Sequence, residues 1–284
     1  MNVRRLYPLL AGILLAMLLL SIEACNLNEG VRAFRNARAA LVTPDQDEER
    51  LIGHQSAAVL LGASPALNDP QVQEYVNRVG RWVALQSDRP DLPWRFAVLD
   101  SPDINAFAAP GGYVFVTRGL LMMLQNEAEL AGVLGHEVAH VTRRHHLKAI
   151  KKQARLNLLG QAASQILENR SEHAEMLEKI ASGARVLYSR GLDKGDEFEA
   201  DRIGVVLAAR AGYDPYGLLA VLQRLQAMKP QDSSVALLFK THPKPAERIH
   251  QLEIRMAGRM DEYGHQAEGR QRYVATLRHL LPAG

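Results

Sequence analysis

The chain has 284 residues and a single cysteine, Cys25, so an intramolecular disulfide is impossible whatever the compartment. It has no internal repeat and no low-complexity stretch. Basic tracts are also scarce. Net charge is +3, part of it from Arg4 and Arg5, and Lys148-Ala-Ile-Lys-Lys152 reads as a solvated helix face. Nothing here calls for a nucleic-acid partner. Long apolar runs are missing after residue 20, and the one before it, Leu6 to Leu20, is short for a membrane span and contains a proline. The remaining composition, 47% hydrophobic and 23% charged, is that of a globular protein able to bury a sizeable core.

The most informative stretch is His136-Glu137-Val138-Ala139-His140, an HExxH sequence inside the apolar run Leu130 to Val141. Histidines four apart stand about one turn apart on one helical face, so both imidazoles can reach one metal ion. Glu137 lies beside them as a general base toward the attacking water. Burying two imidazoles and a carboxylate is costly unless they are paired or bind metal. The helix has a start signal, with Asn126 as N-cap and Glu129 three residues on as in a capping box, and is expected to run beyond His146. His145 and His146 are expected on the surface at its end, where the helix dipole favours a cation. His54, His173, His250, His265 and His279 are expected on the surface as well.

HExxH supplies two ligands and zinc needs a third. No histidine follows at the spacing of the HExxHxxGxxH group. In Glu197-Phe-Glu199-Ala-Asp201, Glu197 and Asp201 share a helical face while Glu199 points roughly the other way. Glu197 is the candidate ligand and Asp201 the candidate acceptor for a ligand histidine's other N–H. A charged, solvated helix start would give the same spacing.

Periodicity places helices at Asp47 to Leu61, with Leu51, Ile52, Ala57, Val59 and Leu60 apolar, and at Pro70 to Leu85, with Val72, Tyr75, Val76, Val79, Trp82 and Val83 as its stripe. Strands are expected at Trp94 to Val98, Asn105 to Gly112 with its turn, and Tyr113 to Thr117. Helical character returns over Leu147 to Val186, Gly195 to Ala211, Pro215 to Met228 and Pro245 to Gly258, with a loop at Pro230 to Ser234 and one more helical stretch before Gly284. The fold class is α+β, mostly helical with a small β-sheet beside the active-site helix.

These motifs resemble the gluzincin metallopeptidases related to HtpX and the CAAX prenyl endopeptidases, nearest their soluble periplasmic BepA and LoiP types. Gly135 to His140, Glu197 to Asp201 and Asn105 to Gly112 carry the resemblance, which covers about residues 50 to 255. It implies one Zn2+ per chain held by His136, His140 and Glu197, with Asp201 supporting a ligand, and peptide hydrolysis with Glu137 as base. It implies that Asn105, Ala106, Phe107 and Ala108 belong to an edge strand that pairs with extended substrate. His242 would be either an oxyanion donor or an inhibitory fourth ligand. Arg248 stands near it without a readable role.

The N-terminus resembles a bacterial lipoprotein signal. Arg4 and Arg5 precede the apolar stretch, and Ser21-Ile-Glu-Ala-Cys25 resembles a lipobox, with Glu23 departing from it. Lipidation of Cys25 is one reading; simple cleavage or an uncleaved anchor is the other. The organisation read from sequence is a signal peptide at 1–24, a tether and first helical segment at 25–46, a zinc metallopeptidase domain at 47–258 and a C-terminal helical tail at 259–284. The implied site of action is the periplasm, lipid-anchored at the outer membrane, on unfolded or misassembled envelope proteins, with the outer-membrane assembly machinery as a further partner. A chaperone or assembly factor with a latent zinc site is the competing function.

Overall fold

The computed structural model describes residues 44–161 and 191–280. Cys25, the signal-like segment and residues 162–186 of the expected helical stretch lie outside them. Residues Pro44–Ile150 and the described part of Glu168–Gly284 form one compact unit. The other unit is Met1–Thr43 with Lys151–Leu167, of which only 151–161 are described, as helix.

Helix α1 (Gln46–Ala63) starts on a capping box, Asp45 accepting the Glu48 N–H at 2.9 Å while Glu48 reaches back to the Asp45 N–H. Its buried face is Glu49, Gly53, Ser56, Ala57 and Leu60. Of the five apolar positions expected to face inward, only Ala57 and Leu60 do, and Leu51 is exposed. That inward face includes the carboxylate of Glu49, which binds Arg89 in a bidentate pair at 2.7 and 3.0 Å.

Helix α2 (Pro70–Ala84) begins with Pro70 in its first turn and Asp69 as cap. Val72, Tyr75, Val76, Val79 and Val83 are buried as the stripe requires. Trp82 is not; it is 51% exposed and its indole N–H donates to the Ala211 carbonyl at 2.8 Å.

Strands β1 (Arg95–Leu99), β2 (Ala106–Ala109) and β3 (Tyr113–Thr117) form one sheet of order β1-β3-β2. β3 runs parallel to β1 and antiparallel to β2, with Phe107 opposite Phe115. The turn between β2 and β3 uses Gly111 and Gly112 at positive φ, the conformation that favours glycine.

After short helix α3 (Arg118–Met123) comes α4 (Glu127–Thr142), buried from Glu127 to Val141. Asn126 caps it by accepting the Glu129 N–H at 2.8 Å. The Glu129 carboxylate accepts from Gln125 N–H, one residue before the cap, and also binds Arg224 at 2.8 and 2.9 Å.

Helix α4 ends at Thr142, not beyond His146. Arg144 has φ +55°, and a new helix, α5 (His145–Gln161), starts at His145. This break overturns the surface placement of His145 and His146, which are buried. The break turns both rings inward against His140, with centroids 5.1 and 5.7 Å from it. His54, His250, His265 and His279 are exposed, and His279 pairs with Asp69. His173 lies outside the described residues.

Against α4 pack α6 (Lys194–Arg210), α7 (Gly217–Gln226) and α10 (Arg270–Leu277), while α8 (Ser233–Thr241) follows α7 and α9 (Pro245–Met256) packs on α6 and α7. Helix α8 starts inside the expected Pro230–Ser234 loop and was not read from the sequence. The stretch read as a C-terminal tail contributes Tyr273 and Leu277 to the main core. It also closes over the start of α4, where Glu127 accepts from Tyr75, Tyr213 and Arg272 at 2.8, 2.8 and 2.7 Å.

Two glycines let α4 and α6 meet backbone to backbone. A Cβ on Gly135 would lie 2.7 Å from the Gly204 carbonyl oxygen, and one on Gly204 2.7 Å from the His136 nitrogen. The crossing therefore falls beside His136, one turn from Asp201 and two from Glu197.

Candidate active site

His136 and His140 project from α4 with their Nε2 atoms 3.0 Å apart. Glu197, from the first turn of α6, brings Oε2 to 3.6 Å from His136 Nε2 and Oε1 to 3.6 Å from His140 Nε2. Glu197 is 1% exposed, and its Oε2 has no hydrogen-bond partner. A buried carboxylate oxygen left bare beside two imidazole nitrogens is the arrangement a cation would complete. Four ligand atoms about 2.0–2.1 Å from a tetrahedral zinc stand about 3.3 Å apart, close to the separations here. The donor set thus fits the metal expected from the motif.

The remaining ring nitrogens are held from behind. His136 Nδ1 lies 2.9 Å from Asp201 Oδ1. Arg248, buried on α9, clasps Asp201 through Nε at 2.9 Å and a terminal nitrogen at 2.6 Å. Burial works against the Asp201 charge, but Arg248 and the His136 contact outweigh it and hold the carboxyl well below its usual range. The sequence offered no sign of this role for Arg248, which follows His242 by six residues. His140 Nδ1 lies 2.9 Å from His145 Nδ1.

Burial, followed by the charge of Arg248, lowers the pKa of His136 and His242. Burial, followed by the neighbouring histidines, lowers that of His140 as well. All three imidazoles are neutral at pH 7, the form that binds metal. Burial raises Glu137 to about 8 against the opposing charge of Arg248, and Glu197 likewise to about 8. A dication beside them reverses that logic by favouring the carboxylate.

Glu137, His136 and His242 each present an atom within 4.8 Å of the others. His242 caps the end of α8, with Nδ1 3.0 Å from Thr241 Oγ1 and Nε2 3.8 Å from Glu197 Oε2. Asn105 is buried just before β2, its side-chain oxygen accepting the Ala106 N–H at 2.9 Å. Ala106 lines a small cleft with His136, Glu137, His242 and Arg248. Phe107 and Ala108 continue along β2, and neither is among the residues lining that cleft. The opposite wall is apolar: Leu120, Val133 and, from α7, Leu218, Val221 and Leu222.

A buried HExxH helix, a facing carboxylate on a second helix and a cleft between sheet and helices define an α+β, zincin-like metallopeptidase domain. Comparison with known sequences agrees. Residues 70–256 match Peptidase family M48, and the chain belongs to that family. It is 32% identical over 207 residues to a putative beta-barrel assembly-enhancing protease of Vibrio cholerae, covering 72% of this chain and 43% of that protein. The corresponding protease of Escherichia coli is 32% identical over 206 residues, covering 71% and 42%. A mitochondrial metalloendopeptidase OMA1 of Schizosaccharomyces pombe is 33% identical over 179 residues, covering 63% and 51%. The chain spans less than half the length of these bacterial relatives. Among the described residues, no helix is long and apolar enough to cross a membrane.

Proposed function

We propose that the chain is a zinc-dependent endopeptidase that hydrolyses peptide bonds in unfolded or misassembled cell-envelope proteins. The convergence of His136 Nε2, His140 Nε2 and the bare Oε2 of Glu197, with Glu137 alongside, carries this reading. His136, His140 and Glu197 would hold the ion. Bound there, zinc supplies Lewis-acid activation of water and of the scissile carbonyl. Glu137 takes a proton from the attacking water and returns it to the leaving amine. Asp201, locked by Arg248, keeps the His136 ring in its ligating tautomer.

Substrate lies extended along β2, from Asn105 to Ala108, with one side chain turned toward the apolar wall of the cleft. Support for this is the outer position of β2 in the sheet and the contact of Ala106 with the cleft. Main-chain recognition of this kind tolerates sequence and selects unfolded chains. The envelope assignment follows the names of the bacterial relatives and the signal-like N-terminus, with Cys25 as the lipidated residue, the outer membrane as the anchor and the periplasm as the compartment.

His242 blocks the open side of the centre. Its Nε2 stands 3.8 Å from Glu197 Oε2, beside the donor cluster and grouped with His136 and Glu137, and this favours the inhibitory reading over the oxyanion one. A blocked centre also gives the competing function, assembly factor with latent peptidase, its physical basis.

The test is cleavage of an unfolded protein by the purified chain from Asn26 onward, with and without chelator. His242→Ala is expected to raise the rate and Glu137→Gln to abolish it while zinc stays bound. A fall in rate with His242→Ala assigns it to oxyanion stabilisation instead. No chelator-sensitive cleavage by either wild type or His242→Ala sinks the peptidase reading.

A further inference from the structure

His145 is five residues beyond His140, which on a continuous helix would turn it about 140° away. Its ring nevertheless stands against that of His140, centroids 5.1 Å apart and planes at 74°. Resting on the metal-centre reading above, we infer that His145 is a positioning residue that fixes the tautomer and ring plane of His140. It is the middle link of a carboxylate–histidine–histidine chain ending at the metal.

The proton assignment follows from the geometry. A metal at Nε2 of His140 needs the lone pair there, so the ring hydrogen is on Nδ1. That N–H is buried and must donate. The acceptor it faces is His145 Nδ1, 2.9 Å away. His145 must therefore keep Nδ1 unprotonated and carry its own hydrogen on Nε2. Two carboxylate oxygens stand there to accept it, Glu199 Oε2 at 3.2 Å and Asp196 Oδ1 at 3.4 Å. Each ring hydrogen has one place, and each is donated outward from the metal.

The two ligand histidines are thus supported differently. His136 meets its carboxylate directly, inside the core, with Arg248 behind it. His140 reaches its carboxylates through one intervening ring, at a partly exposed edge where Arg143 and Lys148 also approach Glu199 and Asp196. Glu199, which the helical face excludes from the metal, enters the site by this route.

The backbone is bent to make the contact. Arg144 is the non-glycine residue with positive φ among the described residues, a conformation that persists only when its surroundings hold it. Glu49 holds it, its Oε2 3.2 Å from Arg144 Nε while the same carboxylate accepts from Arg89 and the Gly111 N–H.

The experiment measures zinc affinity of the purified chain by competition with a chromophoric chelator, with far-UV circular dichroism as the check on folding. His145→Leu removes the acceptor and is expected to weaken zinc binding roughly 10–100-fold. His145→Gln restores an acceptor and a donor and is expected to stay within about threefold of wild type. In the zinc-loaded wild type, long-range 15N–1H correlation is expected to find the His145 hydrogen on Nε2. A folded His145→Leu with wild-type affinity overturns the inference, as does a hydrogen on Nδ1 of His145. The tautomer measurement decides alone if His145→Leu does not fold. Absence of zinc binding by wild type removes the metal-centre reading itself, an outcome distinct from equal affinities of wild type and variant.

Discussion

Replacing Gly204 with alanine tests whether the α4–α6 crossing sets the metal centre. The added Cβ would meet the His136 nitrogen at 2.7 Å and the Gly135 carbonyl carbon and His136 Cα at 3.0 Å. Ordinary contact begins at about 3.4 Å, so the helices must part by roughly 0.7 Å. Both sides of the contact are backbone, and no rotamer change relieves it. Alanine gains about 1 kcal/mol of helix propensity over glycine, and overpacking loses about 1–3 kcal/mol. The net loss is roughly 0–2 kcal/mol, a fall in Tm of about 0–8 °C for a domain of this size. Function suffers more than stability, because Glu197 rides on α6 and the histidines on α4. Misplacement by about 1 Å lowers a site's effectiveness by about 100-fold. Gly204→Ala is therefore expected to weaken zinc binding and chelator-sensitive cleavage by about 10–100-fold in a protein that melts no more than about 8 °C below wild type. Calorimetry and chelator competition on the same sample decide it. Wild-type zinc affinity in Gly204→Ala would refute the claim that backbone contact positions the donors.

Three further outcomes are expected. Arg248→Met leaves Asp201 buried without its cation, and breaking such a pair costs about 3–5 kcal/mol, so Tm should drop by roughly 6–20 °C; an unchanged Tm contradicts the pairing seen at 2.6 and 2.9 Å. Glu127 has its pKa lowered, burial being outweighed by Arg272, Tyr75 and Tyr213. A depressed carboxyl pKa stabilises the fold above the unfolded value of about 4.3 and is lost as pH falls through the folded value. The Tm gap between wild type and Glu127→Gln should accordingly narrow below about pH 4, and a gap constant from pH 7 to 3 would count against it. Glu197→Gln keeps the shape of the third donor but removes its charge; zinc affinity is expected to fall at least tenfold, and equal affinity would take Glu197 out of the ligand set.

Much of the scaffold was legible because its signals are local. The Asn126 cap, the apolar run around His136 and the β-branched and aromatic run from Tyr113 to Thr117 each lie within a few residues, and the corresponding helix and strand are present. Helix α8 escaped because Ser233–Thr241 follows a loop-like run and buries only Val235 and Thr241, leaving a weak stripe. The surface placement of His145 and His146 failed for a sharper reason. Helical periodicity runs on through Thr142 without a break, while the chain ends its helix there and turns at Arg144 in a left-handed conformation that no arginine advertises. Gly135 and Gly204 were visible as letters, but only their apposition explains why both must lack a side chain.

The local code was enough to specify an HExxH helix in an apolar run and an acidic pair sharing one helical face, since helical spacing alone aligns His136 with His140 and Glu197 with Asp201. Tertiary structure decided what those residues meet. Arg248 reaches Asp201 across 47 residues of sequence, Glu199 reaches His145 across 54, and Arg272 reaches Glu127 across 145. Burial makes such long-range pairs obligatory, because a charge withdrawn from water must find a partner wherever the fold can supply one. No periodicity records that requirement.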